Sequence, residues 1–172
     1  MQEEKPHIWQ GTLAGLAGGL AASWVMNRVY GAWSMFTGNY PQPEQCAQRG
    51  VSTDPATIAA IRKLSRAWLP RPLTERQVKK AAVIVHYGIG TAAGAAYGAA
   101  SEYVPRLRAG FGAGFGTVFF LGGEEIAVPL MGLSKSPREI PFQSHAVGLA
   151  AHLAYGVVTE IVRRCMHRFV PA

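Results

Sequence analysis

At 172 residues the chain is sized for one domain, and 49% of it is hydrophobic against 16% charged. Seventeen Lys and Arg against ten Asp and Glu give a net charge of +7. No helix carries a basic stripe interleaved with aromatics, which argues against a nucleic-acid footprint, and the cations sit beside long uncharged runs, where Lys and Arg meet lipid phosphates.

Four such runs, at residues 6–27, 81–101, 109–134 (broken only by two adjacent glutamates) and 140–159, read as membrane spans over residues 8–30, 81–103, 109–130 and 144–162. Each approaches or exceeds the roughly 20 residues that a transmembrane helix needs. The expected fold is all-α: a polytopic membrane protein, one membrane domain over residues 1–172, with four transmembrane helices and an amphipathic interfacial helix in the first loop. Many Gly and Ala hold the mean hydropathy only slightly above zero. That dilution would also suit a soluble helical domain, but small residues are enriched where membrane helices pack closely.

Residues 1–5 lack the basic leader of a secretory signal, so the first run is expected to be retained as a span. It carries Trp9 near one end and Trp33 beyond the other, where amphipathic rings favour the headgroup region. Gly11, Gly15 and Gly19 put three positions without side chains on one face, so a neighbouring helix can approach closely.

Residues 34–80 form the long extramembrane connection. Gly38, Pro41, Pro43 and Gly50 mark loop. Asp54 before Pro55 is a helix start, as N-cap and first helical residue. The helix that follows places Ile58, Ile61, Leu64 and Trp68 on one side. It is expected either to lie on the membrane surface or to pack on the protein's own spans. Pro70 and Pro72 end it, and Thr74 with Gln77 fits a capping box.

Span two follows. His86, Gly90, Gly94 and Gly98 recur every four residues, so they share one face. Pro105 stops the helix, and the short connection predicts that spans two and three form an antiparallel hairpin. Span three holds Glu124 and Glu125, the only carboxylates inside any run. A charge at a helix centre costs at least about 2.5–3.5 kcal/mol on the gentlest scale. Pro129 has no N–H, so the carbonyl of Glu125 loses its helical donor, and Gly122 and Gly123 precede it. The spacing predicts a kink or local opening at the carboxylates. Adjacent glutamates point about 100° apart on a helix, so Glu124 is expected to face inward and Glu125 to reach the interface or span one. Span four repeats the glycine device, with Gly148, His152 and Gly156 four apart and His145 on the same side.

Eleven Lys and Arg fall on the side of the long loop and six on the other, so the loop is expected in the cytoplasm. Cys46 and Cys165 lie outside the spans and form no CxxC pair. They are two free thiols, or a disulfide where both connections face an oxidising side.

The polar intramembrane cluster is therefore His86, Glu124, Glu125, His145 and His152. Such groups are functional candidates by default, and single polar residues also tie helices together. His and carboxylate can bind Zn, Fe or Mn, and His86 with His152 could ligate haem. Neither the zinc-protease nor the di-iron spacing is present. No nucleophile motif or phosphate loop appears, and the G-x-G steps at residues 110–114 follow no strand. No catalytic residue is assigned.

One resemblance stands beside this. His86-Tyr87-Gly88, Ala96-Tyr97-Gly98, Glu102-Tyr103 with Pro105, the glycines of residues 112–116, the PLMGL element of residues 129–133, Pro141, and residues 148–152 resemble the YagU-like bacterial inner-membrane proteins. The resemblance covers residues 83–156. It implies a multi-pass inner-membrane protein with a proposed link to acid tolerance and no established reaction. This chain departs from the family in Glu124 and Glu125, which stand where a His is expected, and in its long basic loop.

The function expected is a non-enzymatic multi-pass inner-membrane protein, stress- or acid-related or an accessory subunit, with a buried His/Glu cluster and no cofactor. The alternatives are a small proton- or ion-coupled transporter or channel, and a haem or metal protein using His86 and His152. The expected partners are the lipid bilayer, other membrane subunits or further copies of the chain, and no nucleic acid.

Overall fold

The computed structural model describes residues 7–37 and 56–169. The loop residues Gly38, Pro41, Pro43 and Gly50, the cap Asp54 with Pro55, and Cys46 lie outside them; Cys165 is exposed. Among the described residues there are helices and no strands. They are α1 (Ile8–Thr37), α2 (Ala56–Trp68), α3 (Glu75–Tyr103), α4 (Ala113–Phe120) and α5 (Phe142–Phe169). A 3-10 turn (Pro105–Gly112) leads into α4, which continues through a π-helical segment (Leu121–Ala127) and a last turn (Val128–Leu130).

Glycines set the packing. Across α1 and α3 the pairs are Gly11 with Gly98, Gly15 with Gly94 and Gly19 with Gly90, in antiparallel register. A Cβ added at any of these six would collide with the facing helix, mostly with its backbone. Across α4 and α5 the register is again antiparallel, with Gly112 against Gly156 and Gly116 against the His152 backbone. The other face of α1 packs along α5, with Gly18 against the Thr159 backbone. Ala22, Met26, Ala151 and Tyr155 form the buried core of that seam.

The hairpin expected of spans two and three is not a closely packed pair. Backbone approach between α3 and α4 is slight, and they meet through side chains, with Tyr97 stacked on Phe115 at a centroid distance of 4.3 Å. The connection explains this. Gly110, Phe111 and Gly112 have φ of +66°, +53° and +81°, a left-handed run that interrupts the helix expected from residue 109. The reversal at Gly112 seats α4 on α5 instead.

Among the described residues two segments are long and apolar enough to cross a membrane, Pro105–Leu130 and Phe142–Arg168. They correspond to spans three and four. α1 and α3 fall short on hydropathy because glycine and polar residues lower their mean.

Thr74 and Gln77 form the expected capping box at the start of α3. α2 divides its apolar side: Ile58 and Ile61 pack on Val78 and Ala82 of α3, while Leu64, Trp68 and Leu69 are exposed. Arg62 pairs with Glu75 at 2.7 Å, and Lys63 donates to the Met131 carbonyl at 2.9 Å. α2 is thus clamped to both α3 and the end of α4.

Candidate functional site

The five residues singled out in the sequence fall on two different seams. His86 continues the α1–α3 glycine register and lies by the backbone of Ser23. Its Nε2 is buried without a partner among the described residues. The other four line the α4–α5 seam. The stripe His145, Gly148, His152 and Gly156 faces, in order, Glu125, Phe120 with Glu124, Gly116, and Gly112. His86 and His152 remain within electrostatic reach across the bundle.

The two glutamates diverge. Glu124 accepts a long hydrogen bond from the Tyr30 hydroxyl of α1 at 3.4 Å, and its Oε2 would lie 3.0 Å from a Cβ added at Gly148. Glu125, expected to reach the interface or span one, pairs with α5 next to the Pro137 loop. Its Oε1 lies 2.6 Å from His145 Nδ1, and His145 Nε2 lies 3.0 Å from the Pro137 carbonyl. Both ring nitrogens therefore face acceptors, an arrangement that a doubly protonated imidazole satisfies with two donated hydrogen bonds.

The backbone carrying these carboxylates is the π-helical segment Leu121–Ala127. The local opening expected from Pro129 takes this form. Pro129 removes the N–H that would serve the Glu125 carbonyl, and the Val128 N–H bonds to the Gly123 carbonyl, five residues back. Such i→i+5 insertions recur at functional sites. This one starts at Leu121, just before the glycine pair that softens the helix.

His152 is a buried packing residue. It is 4% exposed, its Nδ1 lies 2.9 Å from the Gly148 carbonyl, and its ring contacts Phe119 and Phe120 at centroid distances of 5.4 Å each. Among the described residues no three His, Cys, Asp or Glu side chains converge as a metal site would need.

A second polar group, absent from the sequence-based list, closes the opposite end. Glu160 is fully buried. It accepts from Arg163 Nε at 2.8 Å and Nη2 at 3.0 Å, from Arg164 Nε at 2.6 Å and from the Tyr97 hydroxyl at 2.9 Å. Glu102 at the end of α3 lies 3.2 Å from Arg163 Nη1, 3.4 Å from Arg108 Nη2 and 3.2 Å from His167 Nε2. The spacing held a signal: Glu160 with Arg163 and Arg164 is an i, i+3, i+4 ion-pair set. The charge balance across the membrane counts Arg163 and Arg164 only as flanking cations, and nothing in it singles out Glu160.

No curated protein and no solved structure matches the chain. A family model matches residues 71–161, from just before α3 to within α5, and this includes the stretch that carries the YagU-like resemblance. The match spans more than half of the sequence, and the chain belongs to this family, DUF1440, described as a protein of unknown function.

Proposed function

We propose that the protein is a four-span membrane protein of the bacterial inner membrane without enzymatic activity, whose His/Glu pair makes one end of the bundle respond to protons. One observation carries the membrane reading: the polarity of the helices is inverted. Ile84 and Val118 are 71% and 70% exposed, while Glu160 and Arg163 are 0% and 4% exposed. In water such a distribution leaves a large apolar surface uncovered. In lipid it places the ionisable groups where they pair with one another. The Gly-rich seams supply the close packing that joins membrane helices when lipid is as apolar as their side chains. On this reading α1 and α3 also span, and the glycines that lower their hydropathy form the seam between them.

The proton-responsive element is His145. It is set between Glu125 and the Pro137 carbonyl, with Glu124 also within electrostatic reach. Loss of one ring proton turns a nitrogen lone pair toward an acceptor oxygen and weakens the tie between α5, the π segment and the Pro137 loop. A tighter bundle in acid accords with the acid-tolerance link implied by the resemblance. The test is hydrogen exchange of residues 121–127 in detergent at about pH 5 and about pH 8, the range over which histidine titrates. Exchange corrected for its intrinsic pH dependence is expected to rise at the higher pH in the wild type and to be pH-independent in His145→Gln. Equal protection at both pH values rejects the reading.

A second reading, a proton- or ion-coupled transporter, is favoured by the run of polar groups along the bundle from the Glu125–His145 pair through His86 and His152 to Tyr97 and Glu160. A pH-driven flux in liposomes that is abolished by Glu124→Gln would select it, and no flux from the wild type removes it.

A further inference from the structure

At the end of the bundle away from the Glu125–His145 pair, α3, the Pro105–Gly112 turn and the last turns of α5 bound an open pocket of about 360 Å³. It is lined by Glu102, Arg108, Arg163, Arg164, His167 and Arg168. Its charges do not balance. Glu160 beneath it is saturated by Arg163, Arg164 and Tyr97, and Glu102 is shared among Arg163, Arg108 and His167. Two carboxylates thus meet four guanidinium groups among the described residues, which leaves two positive charges before His167 is considered.

The surplus is displayed and not absorbed. Arg163 is buried and spent on the carboxylates. Arg164 touches Glu160 through Nε, stacks over the Phe111 ring at 4.4 Å and keeps its side chain 40% exposed. Arg108 donates through Nη2 to the Ser101 carbonyl and keeps its side chain 32% exposed. Arg168 is exposed. Three guanidinium groups around one opening suit an anion with at least three acceptor oxygens. Phosphate has that shape, and its oxygens match the planar guanidinium fork, whereas one carboxylate would satisfy a single fork.

Exposed apolar side chains flank these arginines: Phe111 lies under the Arg164 guanidinium, Leu107 precedes Arg108 in the same turn, and Ile161 stands three residues before Arg164 on α5. Basic pockets between membrane helices with apolar flanks hold anionic lipid headgroups. We propose that this pocket binds a phosphate group, carried by an anionic phospholipid whose chains lie along that apolar rim. The lipid as source rests on the membrane reading above; the phosphate chemistry does not.

The full-length chain in detergent is exposed in parallel to phosphatidylglycerol, to phosphatidylcholine and to inorganic phosphate. Retained lipid is counted by native mass spectrometry, and phosphate binding is followed by calorimetry. The expected result is one phosphatidylglycerol held per chain, with retention of phosphatidylcholine about tenfold lower. The double variant Arg164→Gln/Arg168→Gln should lose about tenfold in that retention with unchanged helicity, consistent with the attraction of two surface arginines. Arg168→Gln alone, at an exposed position that serves no carboxylate among the described residues, should lose part of it. Arg66→Gln, on α2 at the other end, should lose none. Saturable binding of inorganic phosphate that needs Arg164 and Arg168, without preference between the lipids, keeps the pocket and assigns it a soluble phosphate. Equal retention of the two lipids with no phosphate binding, or full retention in the double variant, overturns the proposal.

Discussion

Glu160 shows what a single charge requires of its surroundings. It is wholly enclosed, and the Arg163 that serves it is nearly so. Removing one partner of a buried pair leaves the other desolvated and unpaired, at about 3–5 kcal/mol. Glu160→Gln is therefore expected to lower the thermal unfolding midpoint in detergent well below that of Glu139→Gln, which alters an exposed carboxylate; equal midpoints would show that Arg163 needs no counter-charge. Glu125 and His145 are less enclosed, with side chains 19% and 23% exposed, so their pairing is worth less. A double-mutant cycle with Glu125→Gln and His145→Gln should give a coupling of about 1–3 kcal/mol. Coupling near zero would mean that the 2.6 Å contact contributes nothing to holding α5 on α4. At this scale the sequence disclosed which groups were out of place in an apolar run, and it marked His86, Glu124, Glu125, His145 and His152. It did not disclose their partners. Glu125 and Glu124 part company because the π segment sets their directions, and that depends on how Pro129 is accommodated, not on helical spacing.

At the scale of the elements, a glycine in a helix–helix seam and a glycine on an outer face make different demands. Gly156 lies under the backbone of Gly112 and Gly116, whereas a Cβ at Gly114 meets nothing within 4 Å. Gly156→Ala should destabilise by about 1–3 kcal/mol through overpacking. Gly114→Ala should be neutral or stabilising by up to about 1 kcal/mol, because it removes backbone freedom from an exposed helical position. Matched unfolding measurements that rank the two variants the other way would contradict the seam described here. These faces were legible in advance because i, i+4 spacing fixes a stripe whatever its partner. The partner itself was not legible. The short connection suggested that α3 pairs with α4, but three consecutive left-handed residues re-aim the chain, and Phe111 gives no sign in the sequence of adopting such a conformation.

At the scale of the whole molecule, the described helices enclose carboxylates, guanidinium groups and imidazoles and turn Ile, Val, Leu and Trp outward. That distribution is the reason for reading α1 and α3 as spans although, among the described residues, only the segments Pro105–Leu130 and Phe142–Arg168 are apolar enough by composition to cross a membrane. Hydropathy scores a glycine the same wherever it lies. It cannot see that Gly11, Gly15 and Gly19 are covered by α3 while Leu13 and Leu20 face outward. The most direct test is a topology measurement with single cysteines, placed by Arg71→Cys and Arg106→Cys in a chain lacking Cys46 and Cys165 and labelled in sealed vesicles with an impermeant maleimide. Four spans put these two positions on opposite faces of the membrane, so that each is labelled from one side and they never share it. Labelling of both from the same side would mean that α3 does not cross, and the account of an inverted four-helix bundle would be wrong.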